Sequence, residues 1–89
     1  MRTSYFAKQF DRDVKSQKKR GKDISKLKAI LRDLVEEKQL AVKNRDHYLS
    51  GDFAGYRECH IEPDWLLIYK LELQTIYFVR TGTHSDLFD

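Results

Sequence analysis

Three histidines, His47, His60 and His84, are the side chains best suited to chemistry near neutral pH. Imidazole changes charge near neutrality, so it can accept or release a proton in general acid–base work. All three fall in the second half of the chain, each beside an expected turn or strand end, where functional groups usually sit. Arg57, Asp64, Trp65 and Arg80 lie among them in sequence. Singly, each histidine has an ordinary structural duty: His47 anchoring a loop, His60 a satisfied strand residue, His84 capping a helical turn. Together with aspartate and arginine they hold the inventory for cutting RNA without a metal. A base takes the proton of a ribose 2′-hydroxyl, a cation stabilises the charge on the phosphorane, and an acid protonates the departing 5′-oxygen. Rings such as Trp65 and Phe88 could stack on unpaired bases, although Trp65 fits a core position equally well. A metal centre fits less well. Cys59 and His60 are adjacent in an expected strand and so face opposite ways, and no CxxC or HxxxH spacing exists. Cys59 reads as a small core residue and no metal or cofactor is expected.

The elements that must position these groups divide the chain into a helical half and a strand half. Thr3 to Phe6 leaves room for a short strand. Phe6, Phe10 and Val14 recur every four residues, predicting a helix from Ala7 that stops near Gly21. Asp23 can cap a second helix with the apolar stripe Ile24, Leu27, Ile30/Leu31, Leu34 and Val35. Residues 38–52 are polar, lack periodicity and read as a linker. Three strand-like segments follow: Tyr56 to Ile61, Trp65 to Leu71 and Thr75 to Thr81. Glu62-Pro63-Asp64 forms the first turn between them. The second connection, Glu72-Leu73-Gln74, lacks the Gly or Asn of a tight hairpin. The unbroken apolar run from Trp65 predicts a central strand buried on both faces. Ser85 to Phe88 has the length of one helical turn. The expected architecture is α+β in a single domain spanning 1–89, with two N-terminal helices on a small antiparallel sheet.

Charge follows the same division. The chain has 89 residues, 40% hydrophobic and 35% charged, enough apolar content for one folded core. Its net charge is +3, but residues 1–45 hold 14 basic against six acidic residues, a balance of +8. The remainder holds three basic and eight acidic residues, a balance of −5. A half so basic attracts polyanions, with nucleic acid the first candidate, or is simply a lysine-rich solvated surface. No run of 18 apolar residues is present and the start MRTSYFAKQF has no apolar secretion signal. With a single cysteine, a cytoplasmic protein without a membrane partner is expected.

The residues Asp46-His47, Leu49 and Gly51, then Gly55 through Lys70 with His60 and Pro63-Asp64-Trp65, and finally Arg80-Thr81-Gly82-Thr83-His84 with Leu87-Phe88, resemble the YafQ branch of the RelE/ParE superfamily of bacterial toxins. The resemblance covers nearly half the chain in order and spacing. The linker departs from it, since Leu40 to Arg45 lacks a proline before the Asp-His pair. The resemblance implies a RelE-like fold and the toxin of a type II toxin–antitoxin pair, an endonuclease that cleaves mRNA in the ribosomal A site. It implies as partners the 70S ribosome and an antitoxin of ribbon-helix-helix type, whose complex with the toxin binds operator DNA. The family's catalytic positions fall on His47, His60, Asp64, Arg80, His84 and Phe88. His84 is then the general acid, Arg80 the phosphorane stabiliser, and His47, His60 and Asp64 share positioning and the base role. Trp65 and Arg57 would meet substrate, and Lys15, Lys18, Lys19, Arg20, Lys22, Lys26 and Lys28 would contact ribosomal RNA. The competing readings are a ParE-like inhibitor of DNA gyrase and a non-catalytic RNA-binding module, neither of which needs an acid–base set.

Overall fold

The computed structural model describes residues 1–88; the expected domain extent also includes Asp89, which lies outside them. Strand β1 (Thr3–Phe6) leads into helix α1 (Lys8–Lys19), and helix α2 (Ile24–Val35) follows. Helix α1 closes at Gly21, whose φ of 88° suits a residue without Cβ, and Lys22 N donates to Gln17 O at 3.1 Å across the turn. Asp23 caps α2 by accepting from Ser25 N at 3.0 Å. Both helices thus begin and end close to where the apolar spacing and the cap residues place them.

Residues 38–52 hold more than a linker. Two short 3-10 turns, Val42–Asn44 and Gly51–Phe53, flank strand β2 (His47–Tyr48), which pairs antiparallel with β3 (Arg57–Glu62). A two-residue strand is too short to carry a period-2 signal, so it is silent in sequence. Strands β4 (Trp65–Glu72) and β5 (Thr75–Gly82) complete the meander, and helix α3 (His84–Phe88) ends the described chain. The sheet has five strands in the order β1-β5-β4-β3-β2, and β1 runs parallel to β5. The sheet is therefore mixed, not purely antiparallel. The long connection that a parallel pair requires runs from β1 through both helices and the strands β2, β3 and β4 before β5.

Side-chain alternation along β4 builds two cores. Trp65, Leu67 and Tyr69 pack with Phe10, Leu27, Leu34 and Phe78 beneath the long helices. Leu66 and Ile68 face the other way, onto Leu87 of α3 with Leu49, Phe53, Tyr56 and Val79. All five of these β4 residues are buried, as the apolar run predicts. The two-residue turn after Glu72 places Leu73 at φ 41°, in the left-handed region, although it is neither Gly nor Asn. Among the described residues no helix is long and apolar enough to cross a membrane.

Candidate active site

The register of the meander gathers the histidines. His47 pairs with Glu58 across β2 and β3, and Glu58 lies two residues before His60 on the same strand face. The Glu58 carboxylate is buried at 7% exposure. Its Oε2 lies 3.2 Å from His47 Nε2 and 3.8 Å from His60 Nε2. The other oxygen, Oε1, is buried without a hydrogen-bond partner. What compensates this desolvated carboxylate therefore comes through Oε2, with His47 Nε2 the nearer group.

The ring nitrogens are further constrained by backbone. His60 Nδ1 lies 3.1 Å from Pro63 O, a carbonyl that can only accept. This places the proton of a neutral His60 on Nδ1 and leaves Nε2 with a lone pair. His47 Nδ1 contacts Arg45 O while its Nε2 faces Glu58. A neutral ring can donate to only one of these acceptors.

The Pro63–Asp64 turn between β3 and β4 holds a second histidine segment as well. Asp64 Oδ1 accepts from the backbone N–H of His84 at 3.0 Å. The His84 ring sits 4.9 Å from the Phe88 ring, which meets Phe53 edge-on at 5.7 Å. His84 itself is exposed. One turn thus ties His60 through Pro63 O and His84 through Asp64.

The remaining expected site residues are placed less simply. Arg80 donates through Nε to Asp13 Oδ2 at 2.7 Å and through Nη2 to Asp13 Oδ1 at 3.3 Å. Asp13, 8% exposed, also accepts from Thr81 N at 3.1 Å. The guanidinium is held in place by α1, with Nη1 uncommitted among the described residues. Trp65 corrects an expectation: it is fully buried, and its Nε1 donates to Thr81 Oγ1 at 3.0 Å. A ring with no exposed face offers no stacking surface to a nucleotide.

Arg57 is engaged by protein partners. Its Nη2 pairs with Asp46 Oδ2 at 3.1 Å, its Nε reaches Asp46 and Tyr69 Oη at 3.3 Å, and Tyr48 covers it with its ring centroid 4.3 Å away. Burial alone would weaken its hold on the proton, but the bonds to Asp46 and Tyr69 outweigh it and hold the guanidinium above its ordinary value. Arg57 fastens the loop that carries His47. Burial, then Asp46, pushes the Tyr69 hydroxyl up, and burial likewise pushes up the Cys59 thiol, which lies in the helix-side core. A thiol so placed is not a nucleophile.

The basic patch divides. Lys15, Lys18, Lys19 and Lys28 are exposed and make no ion pair among the described residues. Lys22 and Lys26 pair with Glu62 at 3.5 and 2.9 Å, and Arg20 forks onto Asp86 at 2.7 and 3.1 Å. The carboxylates Asp13, Asp46, Glu58 and Asp86 are thus the positioning groups that residue types and spacing left without a role. Glu58 had a signal, since i and i+2 share a strand face. Asp13 and Gln17 had another: they share the helix face of Phe10 and Val14.

Comparison with known proteins agrees with this geometry. Residues 2–89 match the family described as the bacterial toxin of type II toxin–antitoxin system, YafQ. The mRNA interferase toxin YafQ of Escherichia coli strain K12 is 45% identical over 84 residues, covering 93% of this chain and 91% of that protein. The crystal structure of YafQ from E. coli strain BL21(DE3) superimposes with a TM-score of 0.95 at 42% identity, covering all of both chains. The toxin in the crystal structure of the E. coli DinJ–YafQ complex does so with a TM-score of 0.93 at 43% identity, again over all of both chains. The chain belongs to the YafQ family of type II toxin–antitoxin toxins.

Proposed function

We propose that this YafQ-family toxin is an endoribonuclease that cuts mRNA in the ribosomal A site by metal-independent attack of a ribose 2′-hydroxyl. The observation that carries the reading is the Pro63–Asp64 turn, which binds both the His60 ring and the His84 segment. It supplies two proton-transfer groups from one rigid point. His60 Nε2, with its lone pair free of the Pro63 contact, takes the 2′-hydroxyl proton. His47 and Glu58 flank it and steady the charge that His60 then acquires. The 2′-oxygen bonds to phosphorus, and Arg80 Nη1 meets the added charge on the phosphorane while Asp13 holds the guanidinium. His84 gives a proton to the 5′-oxygen as the P–O bond breaks. Phe88, braced by Phe53, orients a nucleotide beside His84. The products are a 2′,3′-cyclic phosphate and a 5′-hydroxyl.

Lys15, Lys18, Lys19 and Lys28 meet ribosomal RNA as a diffuse electrostatic surface, so binding weakens with salt. A cytoplasmic site of action follows from a ribosomal substrate. The antitoxin partner is proposed from the E. coli relative, which forms a complex with DinJ. A ribbon-helix-helix antitoxin would bring operator DNA to the complex. Incubating the purified chain with a defined mRNA, alone and on programmed ribosomes, tests the proposal. Cleavage confined to the ribosome-bound message supports it. Intact message together with blocked gyrase would instead favour the inhibitor reading.

A further inference from the structure

Arg20 belongs, by sequence, to the RNA-facing patch, but its guanidinium is turned onto a carboxylate of α3. Helix α3 has only five residues, too few to hold a helical shape alone. Thr83 and Asp86 close a capping box around its start. Asp86 N donates to Thr83 Oγ1 at 3.1 Å, and Thr83 N donates to Asp86 Oδ2 at 2.9 Å. The same carboxylate then reaches α1. Arg20 Nη1 and Nη2 donate to its two oxygens at 2.7 and 3.1 Å, and Gln17 Nε2 donates at 3.1 Å. Glycine is required beneath it: a Cβ on Gly82 would lie 2.9 Å from Asp86 Cβ and Oδ2. Arg20 projects from the rigid end of α1, just before Gly21 closes the helix.

We propose that Asp86 and Arg20 form a latch that sets the position of His84 and Phe88, making both positioning residues for cleavage. His84 and Phe88 flank Asp86 in a helix whose other attachments include the buried Leu87, the edge contact of Phe88 with Phe53 and the Asp64 bond to His84 N. Apolar contacts and one bond to the helix N-terminus hold rotation of α3 about its own axis loosely. A bidentate pair on one side of that axis holds it firmly. The inference rests on the reading of His84 as general acid. It changes the duty of Arg20 from gripping RNA to aiming the acid. An exposed ion pair stabilises a fold only weakly, so the consequence is expected in the rate and not in the folding.

The test measures kcat and KM for cleavage on programmed ribosomes for Arg20→Ala, Asp86→Asn, the double variant, Arg20→Lys and Lys19→Ala. Alongside, proton NMR of the free chain follows the Phe88 ring, which meets Phe53 outside the helix edge-on at 5.7 Å and is shifted by it. Asp86→Asn keeps an acceptor for Thr83 while removing the charge. Both single variants should lower kcat by about 10- to 100-fold, as small misplacements of catalytic groups do, with KM within about twofold. The double variant should be no worse than either single one, and Arg20→Lys should recover part of the rate. The Phe88 ring shifts should collapse toward exposed values in both single variants. Lys19→Ala should raise KM alone. A raised KM with unchanged kcat in Arg20→Ala would make Arg20 an RNA contact and overturn the latch. So would additive losses, or unchanged Phe88 shifts. If wild type cut nothing, the nuclease reading would fall, while the ring shifts would still decide whether the latch exists.

Discussion

The two halves of the candidate site are built on different principles. His47 and His60 stand on paired strands around the buried Glu58, and their positions follow from backbone register. His84 and Phe88 stand on a five-residue helix held by side-chain bonds to Asp64, Asp86 and Arg20. Register resists distortion because moving one residue moves a whole strand. A helix pinned by polar side chains can shift when one pin is drawn. The strand half is therefore suited to a base that must stay fixed relative to the phosphate. The helical half is suited to an acid whose alignment depends on a few separable contacts.

The largest expected effect comes from removing the proposed acid, His84. His84→Ala should lower cleavage by about 10²- to 10⁴-fold, in the range general acid–base groups supply, without unfolding the chain, because the side chain is exposed. Primer extension on ribosome-bound message, with circular dichroism as the folding control, reads both. Next comes the strand half. Glu58→Gln keeps the shape and removes the charge shared by His47 and His60, and should cost about 10- to 100-fold in kcat. If Glu58→Gln proved as active as wild type, the carboxylate would be a fold element only, and the contrast between the halves would narrow.

Gly82→Ala should have a smaller effect that separates packing from charge. The added methyl has no room beside Asp86, and overpacking of this kind costs about 1–3 kcal/mol. Thermal melting should show a loss of several degrees, accompanied by a fall in cleavage larger than a stability change alone gives. The smallest effect is on acid stability. Hydrogen bonds from Arg20, then Thr83, hold the Asp86 carboxyl well below the usual carboxylate range. A depressed carboxylate contributes stability that is complete above its unfolded value, near pH 4, and is lost as pH falls further. The melting-temperature advantage of wild type over Arg20→Ala should therefore be constant from pH 7 to about pH 5 and shrink below pH 4. An advantage independent of pH would mean that Arg20 acts through packing.

Most of the fold was legible because it rests on long periodic segments and strong punctuation. The α2 stripe, the Asp23 cap, Gly21 and the apolar run from Trp65 each have one physical reading. The parallel edge pairing of β1 with β5 was not legible, since four residues carry no information about which strand they join. The site was legible in its imidazoles and illegible in its carboxylates. Histidine stands out by type, whereas Asp13, Asp46, Glu58 and Asp86 look like ordinary surface acids until tertiary structure buries or pairs them. Trp65 and Arg57 show the opposite case. Both are residue types common at RNA surfaces, but the register turned one into the core and the other onto Asp46.

The most direct test of the account is the chemistry of the cut ends. Message cleaved by wild type on programmed ribosomes should carry a 2′,3′-cyclic phosphate on the upstream fragment and a 5′-hydroxyl on the downstream one. Those ends follow from attack by the 2′-oxygen and protonation of the 5′-oxygen. A 3′-hydroxyl with a 5′-phosphate would contradict the proton-transfer roles assigned to His60 and His84.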